Sequence, residues 1–364
     1  MSGGLEGVVA AETSLSMVDG VHGELVIAGY PVEALALNAT FEETIWLLWN
    51  GSLPEDVGSF RSDLASRRSL SQATIDRLAA AAATRVDPMD ALRMGLGSAT
   101  GKDEEDARNA VAIFPSIVAS YWRLLHGRSP IAPRADLGHA ANYLFMLTGE
   151  VPSENRVRGL ETYLNTVVDH GFNASTFTAR VIVSTGSDFV SAVAGAIGAL
   201  KGPLHGGAPG PALDMVFEIG DVGRAEPYLR EKLSRGEKLM GFGHRVYKVR
   251  DPRADVLSVA AERMFRGGDN MKLYELARAV ERVAVRLLDE YKPGRNLQTN
   301  VEFYTALLLH GLGLEVPLFT PTFAISRVAG WLAHSFEQRR ANRIIRPQSA
   351  YVGPRGRTWK NLSR

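Results

Sequence analysis

The most distinctive stretch of this sequence is "LMGFGHRVYKVRDPRA", which runs from Leu239 to Ala254. His244 follows a Gly-Phe-Gly turn, and the residues after it carry four cationic side chains: Arg245, Lys248, Arg250 and Arg253. Guanidinium groups beside a glycine-rich turn suit carboxylate or phosphate ligands, which they can bind through paired hydrogen bonds. A solvated basic loop is the alternative interpretation of the same residues.

A second histidine lies in a loop that is rich in glycine and proline. The stretch "KGPLHGGAPGP", 201–211, contains four glycines and three prolines, with His205 near its middle. Glycines let the backbone approach a ligand closely, and the helix predicted to follow offers free N–H groups. The Gly-Lys-[Ser/Thr] ending of a phosphate-binding P-loop is missing. The alternative is a tight turn between helices with an incidental histidine.

A third histidine follows a predicted helix. In "VVDHGFNASTFTAR", 167–180, His170 lies at the C-terminal end of that helix, where the helix dipole favours an imidazolium. Taken alone, this setting favours a structural role, and the same holds for His22, His126, His139, His310 and His334. Local metal-binding spacings such as His-x-x-x-His are missing, so we predict no metal site.

The stretch "TNVEFYTALLLHG", 299–311, places one glutamate at the head of an apolar run. Thr299 and Glu302 have the spacing of a capping box, in which the glutamate would stabilise the start of a helix. The second interpretation is that Glu302 is a general base. These residues alone do not decide between the two.

The composition is that of an ordinary globular protein. The chain has 364 residues, of which 45% are hydrophobic and 22% charged, and this length suggests about two domains. The net charge of +1 gives no reason to expect nucleic acid or an anionic membrane as a partner. From Arg339 onward, however, there are eight Lys or Arg and no Asp or Glu. This tail is either a solvated, partly flexible end or an anion-binding segment.

Cysteine usage and hydropathy predict the cellular compartment. The chain contains no cysteine, which excludes disulfides, thiolate catalysis and cysteine zinc sites and fits a reducing compartment. The N-terminus lacks the basic and apolar regions of a secretory signal. No uninterrupted run of about 18 apolar residues suggests a membrane span. We therefore expect a cytoplasmic protein.

Hydrophobic periodicity predicts a mostly α-helical fold with a minor β element. "LSMVDGVHGELVIAGY", 15–30, alternates around two turns and is typical of a short hairpin. Helices are predicted from a Thr40 cap to Gly51, from Ser153 to Gly171, over "NMKLYELARAVERVAVRLLDEY" and from Pro321 onward. "SDFVSAVAGAIGALKG", 187–202, is apolar nearly all round, so we expect this helix to be buried on most sides.

Taken together, the loops resemble one protein family. "GPLHGGAP", "GFGHRVYKVRDPR", "TNVEFY" and "LFTPTFAISRVAGWLAH", in this order, are similar to the citrate synthases, and the likeness extends from "GLEGVVAAETSLSMVDG" to "RIIRPQSAYVGP". The length fits the shorter bacterial and archaeal form. The resemblance implies an all-α homodimer with the citrate synthase fold. Each subunit would have a large helical domain, 1–212 and 317–364, and a smaller helical domain, 213–316, with the site in the cleft between them.

The resemblance also implies an activity. Citrate synthases are acyltransferases of the tricarboxylic acid cycle that condense acetyl-coenzyme A with oxaloacetate in a Claisen reaction and then hydrolyse the thioester. They use no metal and no tightly bound cofactor, and the coenzyme A thioester is a co-substrate. By similarity, His205 donates a hydrogen bond to the thioester oxygen, Glu302 removes a proton from the acetyl methyl group, and His244 polarises the oxaloacetate carbonyl.

The remaining site residues follow from the same resemblance. His170, Arg253 and Arg327 match positions that bind oxaloacetate. Arg346 matches an arginine that reaches into the site of the neighbouring subunit, which gives part of the basic tail a function. The residues expected near coenzyme A are Leu239, Met240, Gly241, Gly243 and Lys248.

One residue departs from the family pattern. Most citrate synthases have aspartate where this chain has Glu302. The extra methylene moves the carboxylate by roughly 1 Å, and a misplacement of that size can cost about a hundredfold in rate. Three functions therefore stay open: a citrate synthase, a 2-methylcitrate synthase that uses propionyl-coenzyme A, and a weakly active or non-catalytic homologue.

Overall fold

The computed structural model describes residues 3–5, 7–97, 99, 103–206, 209–266 and 271–357. Within them the chain is mostly helical, as predicted, and its helices in chain order are α1 (Val32–Ala36), α2 (Phe41–Asn50), α3 (Gly58–Ser66), α4 (Gln72–Ala83), α5 (Pro88–Leu96), α6 (Glu104–Leu125), α7 (His139–Thr148), α8 (Glu154–Val167), α9 (Ala174–Ser184), α10 (Phe189–Leu200), α11 (Pro209–Ile219), α12 (Val222–Ser234), α13 (Pro252–Phe265), α14 (Met271–Tyr291), α15 (Val301–Gly311) and α16 (Phe319–Arg340). Single 3₁₀ turns lie at Gly3–Leu5 and Val316–Leu318.

The predicted N-terminal hairpin is confirmed. Strand β1 (Ser16–Asp19) pairs antiparallel with β2 (Glu24–Ile27), and a two-residue strand β3 (Tyr30–Pro31), which was not predicted, adds a third edge. The carboxylate of Asp19 closes the turn by accepting the N–H groups of Val21 and His22, each at 2.9 Å. One face of β2 is buried through Leu25 and Ile27, which anchors the hairpin to the core.

Local signals predicted some helix ends correctly. Helix α2 starts at a complete capping box formed by Thr40 and Glu43, and it stops at Gly51, whose φ of 81° is the left-handed conformation that glycine tolerates. Helix α16 begins at Phe319, two residues before the predicted Pro321.

Helix α8 ends at Val167 and not at Gly171, because distant residues take its last hydrogen bond. The Val167 carbonyl accepts from Arg327 Nε, at 2.7 Å. The N–H of Gly171, which would continue the helix, donates instead to Ser16 Oγ at 2.9 Å. The chain from Val168 to Phe172 therefore leaves the helix and places His170 in a loop.

Helix α10 is buried on most sides, as its apolar sequence predicts. Phe189, Ala192 and Val193 are among its buried residues, and Ser191 and Gly198 are its exposed positions.

The apolar core is continuous through the described residues, and α16 runs through it with Trp331 completely buried. Helix α13 packs against both α8 and α15, so three of the loops that were singled out in the sequence meet beside these helices. In the described part of the chain no single helix is long and apolar enough to cross a membrane, although the bent pair Val301–Gly311 and Val316–Arg340 passes that test jointly.

Candidate active site

A close approach between α16 and the loop after α8 places Arg327. A side chain at Gly330 would bring its Cβ to 2.3 Å from the Val168 carbonyl oxygen, so only glycine permits this contact. Arg327, three residues earlier, is buried and donates to the Val167 carbonyl. Within the described residues no carboxylate lies within ion-pair distance of its guanidinium. Burial, together with the nearby Arg253, lowers its pKa to about 10, with Asp169 opposing the shift.

A second buried cation, Arg253, begins α13. Its Nε and Nη2 donate to the two carboxylate oxygens of Asp251 at 3.0 and 2.8 Å. Asp251 is also the N-cap of α13 and accepts the N–H of Val301, the first residue of α15, at 3.1 Å. One buried carboxylate therefore fixes both the guanidinium and the start of the helix that carries Glu302. Its position before a proline, in Asp-Pro-Arg, is a helix-start signal that our sequence reasoning did not use.

The protonation of His244 is set by its own loop. Its Nδ1 accepts the backbone N–H groups of Val246 and Tyr247, both at 3.1 Å. Burial lowers its pKa to about 4, with Arg253 and Lys248 acting in the same direction and Asp251 opposing them. The ring is therefore neutral at pH 7, and the two donors on Nδ1 favour a proton on Nε2, which also lies 3.4 Å from Nη2 of Arg253.

His170 lies directly beside this group. Its ring centroid is 5.9 Å from that of His244, and its Nε2 is 3.2 Å from the Tyr247 hydroxyl. Burial lowers its pKa well below the usual value, and the charges of Arg253 and Arg327 add to the shift. The imidazolium that the helix end would favour is therefore opposed, first by burial of the ring and then by the cations Arg253 and Arg327.

His205 reaches the same region from the turn after α10. Its Nε2 lies 2.8 Å from Ser175 Oγ and 3.4 Å from the Ser175 backbone N–H. The backbone N–H can only donate, which favours Nε2 as an acceptor with the ring proton on Nδ1, whereas the Ser175 hydroxyl has a second acceptor in Asn173 Oδ1 at 2.8 Å. Trp331 Nε1–H donates to the same Ser175 oxygen at 3.0 Å. Burial and the charge of Arg327 lower the pKa of His205 to about 4, so this imidazole is neutral.

Glu302 is not a helix cap. The N-cap of α15 is Asn300, whose side-chain oxygen accepts the Glu302 N–H at 3.0 Å, so the capping box expected with Thr299 does not form. Within the described part of the chain, the Glu302 carboxylate makes no hydrogen bond or ion pair. Burial raises its pKa, and Asp251 adds to this, whereas Arg253 opposes it.

The five residues expected near coenzyme A differ in how they are presented. Gly241 and Gly243 have φ values of 85° and 81°, and a Cβ on Gly241 would meet Phe303 at 2.9 Å. Met240 is partly buried, and Lys248 is exposed, with Nζ 3.2 Å from the Arg245 carbonyl oxygen. Leu239 is buried in the core, so its side chain is not presented to a ligand.

Arg346 lies apart from these groups. It is exposed and lines a groove of about 800 Å³ between the N-terminal segment and the C-terminal tail, together with Arg180 and Glu337. Within the described residues, electrostatic influences connect the groups described above in a chain: Arg327 acts on His205 and His170, Arg253 acts on His170 and His244, and Glu302 acts on Arg253, whereas Arg346 takes no part. Among the described residues no group of three His, Cys, Asp or Glu could hold a metal ion.

The arrangement combines neutral hydrogen-bond donors, buried cations and a carboxylate. His205 and His244 are neutral imidazoles, and the backbone N–H groups that they accept favour the ring proton on Nδ1 of His205 and on Nε2 of His244. The two guanidinium groups suit a small dianion, and a carboxylate with a raised pKa suits proton abstraction. Sequence reasoning missed Asp251, Ser175 and Tyr247, which hold these groups in place.

The chain matches the family model described as "Citrate synthase, C-terminal domain" over residues 4–348. It is 42% identical to citrate synthase 2 of Bacillus subtilis, covering 96% of this chain and 95% of the relative. It is also 40% identical to the 2-methylcitrate synthase of Mycobacterium tuberculosis, covering 96% of this chain and 90% of that protein.

This chain belongs to the citrate synthase family. The fold agrees, since the structure superimposes with a TM-score of 0.88 on the citrate synthase of Thermoplasma acidophilum, at 29% identity and covering 100% of this chain and 98% of the other. That structure is a ternary complex with carboxymethyl coenzyme A and oxaloacetate. The chain is accordingly an enzyme, and condensation of acetyl-coenzyme A with oxaloacetate to give citrate is the activity that the comparisons support.

Proposed function

We propose that this protein is a citrate synthase whose reacting groups are His205, His244 and Glu302. The observation that carries the proposal is Arg327, a buried cation without a carboxylate partner among the described residues, beside the neutral His170 and His205. An unpaired buried charge is costly, and a bound carboxylate would relieve that cost. Oxaloacetate offers two carboxylates, one for Arg327 and one for Arg253, whose Nη1 is not used by Asp251.

The proposed role of His244 follows from its tautomer. With Nδ1 occupied by two backbone N–H groups, Nε2–H is the available donor. Hydrogen-bonded to the ketone oxygen of oxaloacetate, it would polarise the carbonyl and give up its proton to the alkoxide that forms. His170, 5.9 Å away between ring centroids, would bind the same substrate.

His205 and Glu302 would generate the nucleophile. A thioester α-carbon is a weak acid, so the enol needs a donor on its oxygen while the base removes the proton. The Nδ1–H of His205 is the proposed donor, because its acidity as a neutral imidazole is close to that of an enol. Glu302 is the proposed base, and its raised pKa, caused mainly by burial, makes it a stronger base than an exposed glutamate.

The coenzyme A thioester is proposed to bind along the loop from Leu239 to Lys248. The positive-φ glycines, Gly241 and Gly243, allow the backbone to approach a ligand, and the exposed Lys248 suits a phosphate. Met240 would offer an apolar contact. No tightly bound cofactor is required by this scheme.

Two levels of organisation complete the proposal. The small domain, 213–316, would close on the large one, 1–212 and 317–364, and exclude water from the enol step.

The protein would form a homodimer in which the exposed Arg346 enters the neighbouring site. The exposed position Gly198 of α10 offers a surface for close helix packing. We place the enzyme in the cytoplasm, in the tricarboxylic acid cycle.

The primary experiment is release of coenzyme A from acetyl-coenzyme A in the presence of oxaloacetate, with citrate identified as the product. We expect turnover that EDTA does not reduce. If citrate is not formed while oxaloacetate still binds, the chain is a non-catalytic homologue and the proposal is wrong.

The second candidate is a 2-methylcitrate synthase, favoured by the 40% identity to the mycobacterial enzyme of that name. The same residues would act on propionyl-coenzyme A. The ratio of kcat/KM for acetyl- and propionyl-coenzyme A separates the two, and we expect it to exceed one. A strong preference for the propionyl substrate would assign the second function.

A further inference from the structure

Strand β1 of the N-terminal hairpin touches the loop that carries His170. Ser16 Oγ accepts the Gly171 N–H at 2.9 Å, and the Ser16 hydroxyl also hydrogen-bonds to the carboxylate of the buried Asp169. Both chain neighbours of His170 are therefore held by one serine. Val18 lies two residues along on the same face of the strand, and a Cβ on Gly171 would meet its Cγ2 at 3.7 Å.

The end of the same strand touches the loop that carries His244. The carbonyl oxygen of Gly20 accepts the Lys248 N–H at 2.7 Å. A Cβ on Gly20 would lie 2.3 Å from the Val246 carbonyl oxygen, so this contact admits no side chain. Across the turn, a Cβ on Gly23 would meet Val249 at 2.7 Å.

The loop residues that the hairpin contacts are chain neighbours of His170 or hydrogen-bond partners of His244. The N–H groups of Val246 and Tyr247 occupy Nδ1 of His244 and leave its proton on Nε2. The segment from Val246 to Lys248 is the part of the loop that lies on Gly20. Ser16 begins β1 and Gly20 is the turn residue directly after it. A strand rises about 3.3 Å per residue, so the extended backbone of β1 holds the two contact points roughly 10 Å or more apart.

The hairpin itself is firmly attached. Leu25 and Ile27 of β2 are buried, and Ser14, just before β1, donates from its backbone N–H to Glu337 of α16 at 2.8 Å. Arg180 donates to the other carboxylate oxygen of Glu337 at 2.6 Å. The strand therefore offers a fixed reference for both histidine loops.

We propose that Ser16 and Gly20 are positioning residues for the binding of oxaloacetate, because they set His170 and His244 at a defined separation from outside the site. This inference rests on the proposed function, in which these two histidines contact that substrate. It assigns to the N-terminal hairpin a role in substrate affinity in addition to its place in the core. The contact between Gly20 and Lys248 also crosses the proposed domain boundary, so it is complete only when the small domain is in the position seen here.

The test compares Ser16→Ala, Ser16→Thr and the wild type. Isothermal titration gives Kd for oxaloacetate, and steady-state kinetics give KM for each substrate and kcat. We expect Ser16→Ala to raise Kd and KM for oxaloacetate about three- to tenfold, as for the loss of a partly buried hydrogen bond, with KM for acetyl-coenzyme A unchanged. Ser16→Thr keeps the hydroxyl and should restore most of the affinity. Met17→Thr, at an exposed position of the same strand, is the matched control and should leave all constants unchanged.

A second variant tests the other end of the strand. Gly20→Ala forces the Val246 carbonyl away, so we expect a loss of oxaloacetate affinity larger than that of Ser16→Ala, again without a matching change for acetyl-coenzyme A. Circular dichroism at the assay temperature verifies that the variant is folded.

The outcomes are separable. An unchanged Kd for oxaloacetate in Ser16→Ala, equal changes in both KM values, or no rescue by Ser16→Thr would each overturn the inference. If the wild type binds oxaloacetate without turning over, the proposed function fails, and the Kd values still decide the inference. If the wild type does not bind oxaloacetate, both are wrong.

Discussion

Arg327 Nε donates to the carbonyl oxygen of Val167 at 2.7 Å, and this is the one hydrogen bond that the described part of the chain provides to a completely buried guanidinium. The contact ends α8 and opens the loop of His170. The rest of the guanidinium charge faces the proposed oxaloacetate site without a carboxylate. The empty enzyme therefore carries an electrostatic cost that a dianionic substrate would remove.

The first prediction is that Arg327→Met strongly weakens oxaloacetate binding without destabilising the ligand-free protein. We expect affinity to fall at least about a hundredfold, as for a lost charge-assisted pair, while the unfolding temperature of the ligand-free protein stays equal or rises. Differential scanning calorimetry with and without oxaloacetate measures both effects.

The matched control is Arg180→Met, because Arg180 is equally buried but bonded to Glu337, Gln338 and His334. Removing this paired cation should lower the unfolding temperature. If Arg327→Met is the more destabilising of the two, Arg327 is a structural residue and the substrate assignment loses its basis.

The second prediction concerns Glu302. Glu302→Gln should lower kcat by about a factor of 10² to 10⁴, the usual contribution of a general base, with little change in unfolding temperature. Asn300→Ala removes the observed N-cap and should lower stability by about 1 kcal/mol. Turnover that survives Glu302→Gln would show that another group takes the proton.

The third prediction is the pH dependence of kcat. Glu302 acts only when ionised, and its pKa is raised by burial, so kcat should fall on the acid side as Glu302 becomes protonated. His205 and His244, with pKa values of about 4, stay neutral through that range. A pH–rate profile of the wild type and of Glu302→Asp should show an acid limb that shifts with the carboxylate. If kcat falls over the same pH range in both proteins, the ionisation belongs to a group other than residue 302.

The fourth prediction concerns stability. His139 is completely buried against Arg68, its ring nitrogens have no partner among the described residues, and burial lowers its pKa to about 3. Because the unfolded chain binds the proton first, stability should be highest above pH 6.5 and fall as the pH decreases towards 3. One such group changes the free energy of unfolding by about 1.4 kcal/mol per pH unit.

Urea unfolding of His139→Leu between pH 4 and pH 6.5 measures this effect. In the variant the free energy of unfolding should depend less steeply on pH, by about 1.4 kcal/mol per pH unit. The variant should be at least as stable as the wild type at pH 5. An unchanged slope would show that the proton is taken up elsewhere.

Features that depend only on residues close together in the sequence were predicted correctly. The capping box of Thr40 and Glu43 and the Asp19 turn are local, and both were found where the pattern indicated them. The end of α8 was placed wrongly because Arg327 and Ser16, each more than 150 residues away, take its hydrogen-bonding groups. The lowered pKa of His170 likewise depends on its burial and on the charges of Arg253 and Arg327, which no spacing around His170 reveals.

The start of α15 illustrates a different failure. Thr299 and Glu302 have the capping-box spacing, but Asn300 lies between them and caps the helix itself. A competing cap one residue away cannot be ranked from spacing alone. The sequence therefore left two roles open for Glu302, helix cap and general base. The geometry excludes the first and leaves the second as the proposal.

Asp251 has a consequence for how this enzyme can change. Its carboxylate accepts from Arg253 at both oxygens, and the Val301 N–H shares one of them, so a single buried group positions both the proposed oxaloacetate-binding arginine and the helix of the proposed base. Neither helix start can shift without carrying its counterpart along. A change in acyl preference must therefore come from other residues around the thioester, because the separation between Arg253 and Glu302 is fixed by Asp251.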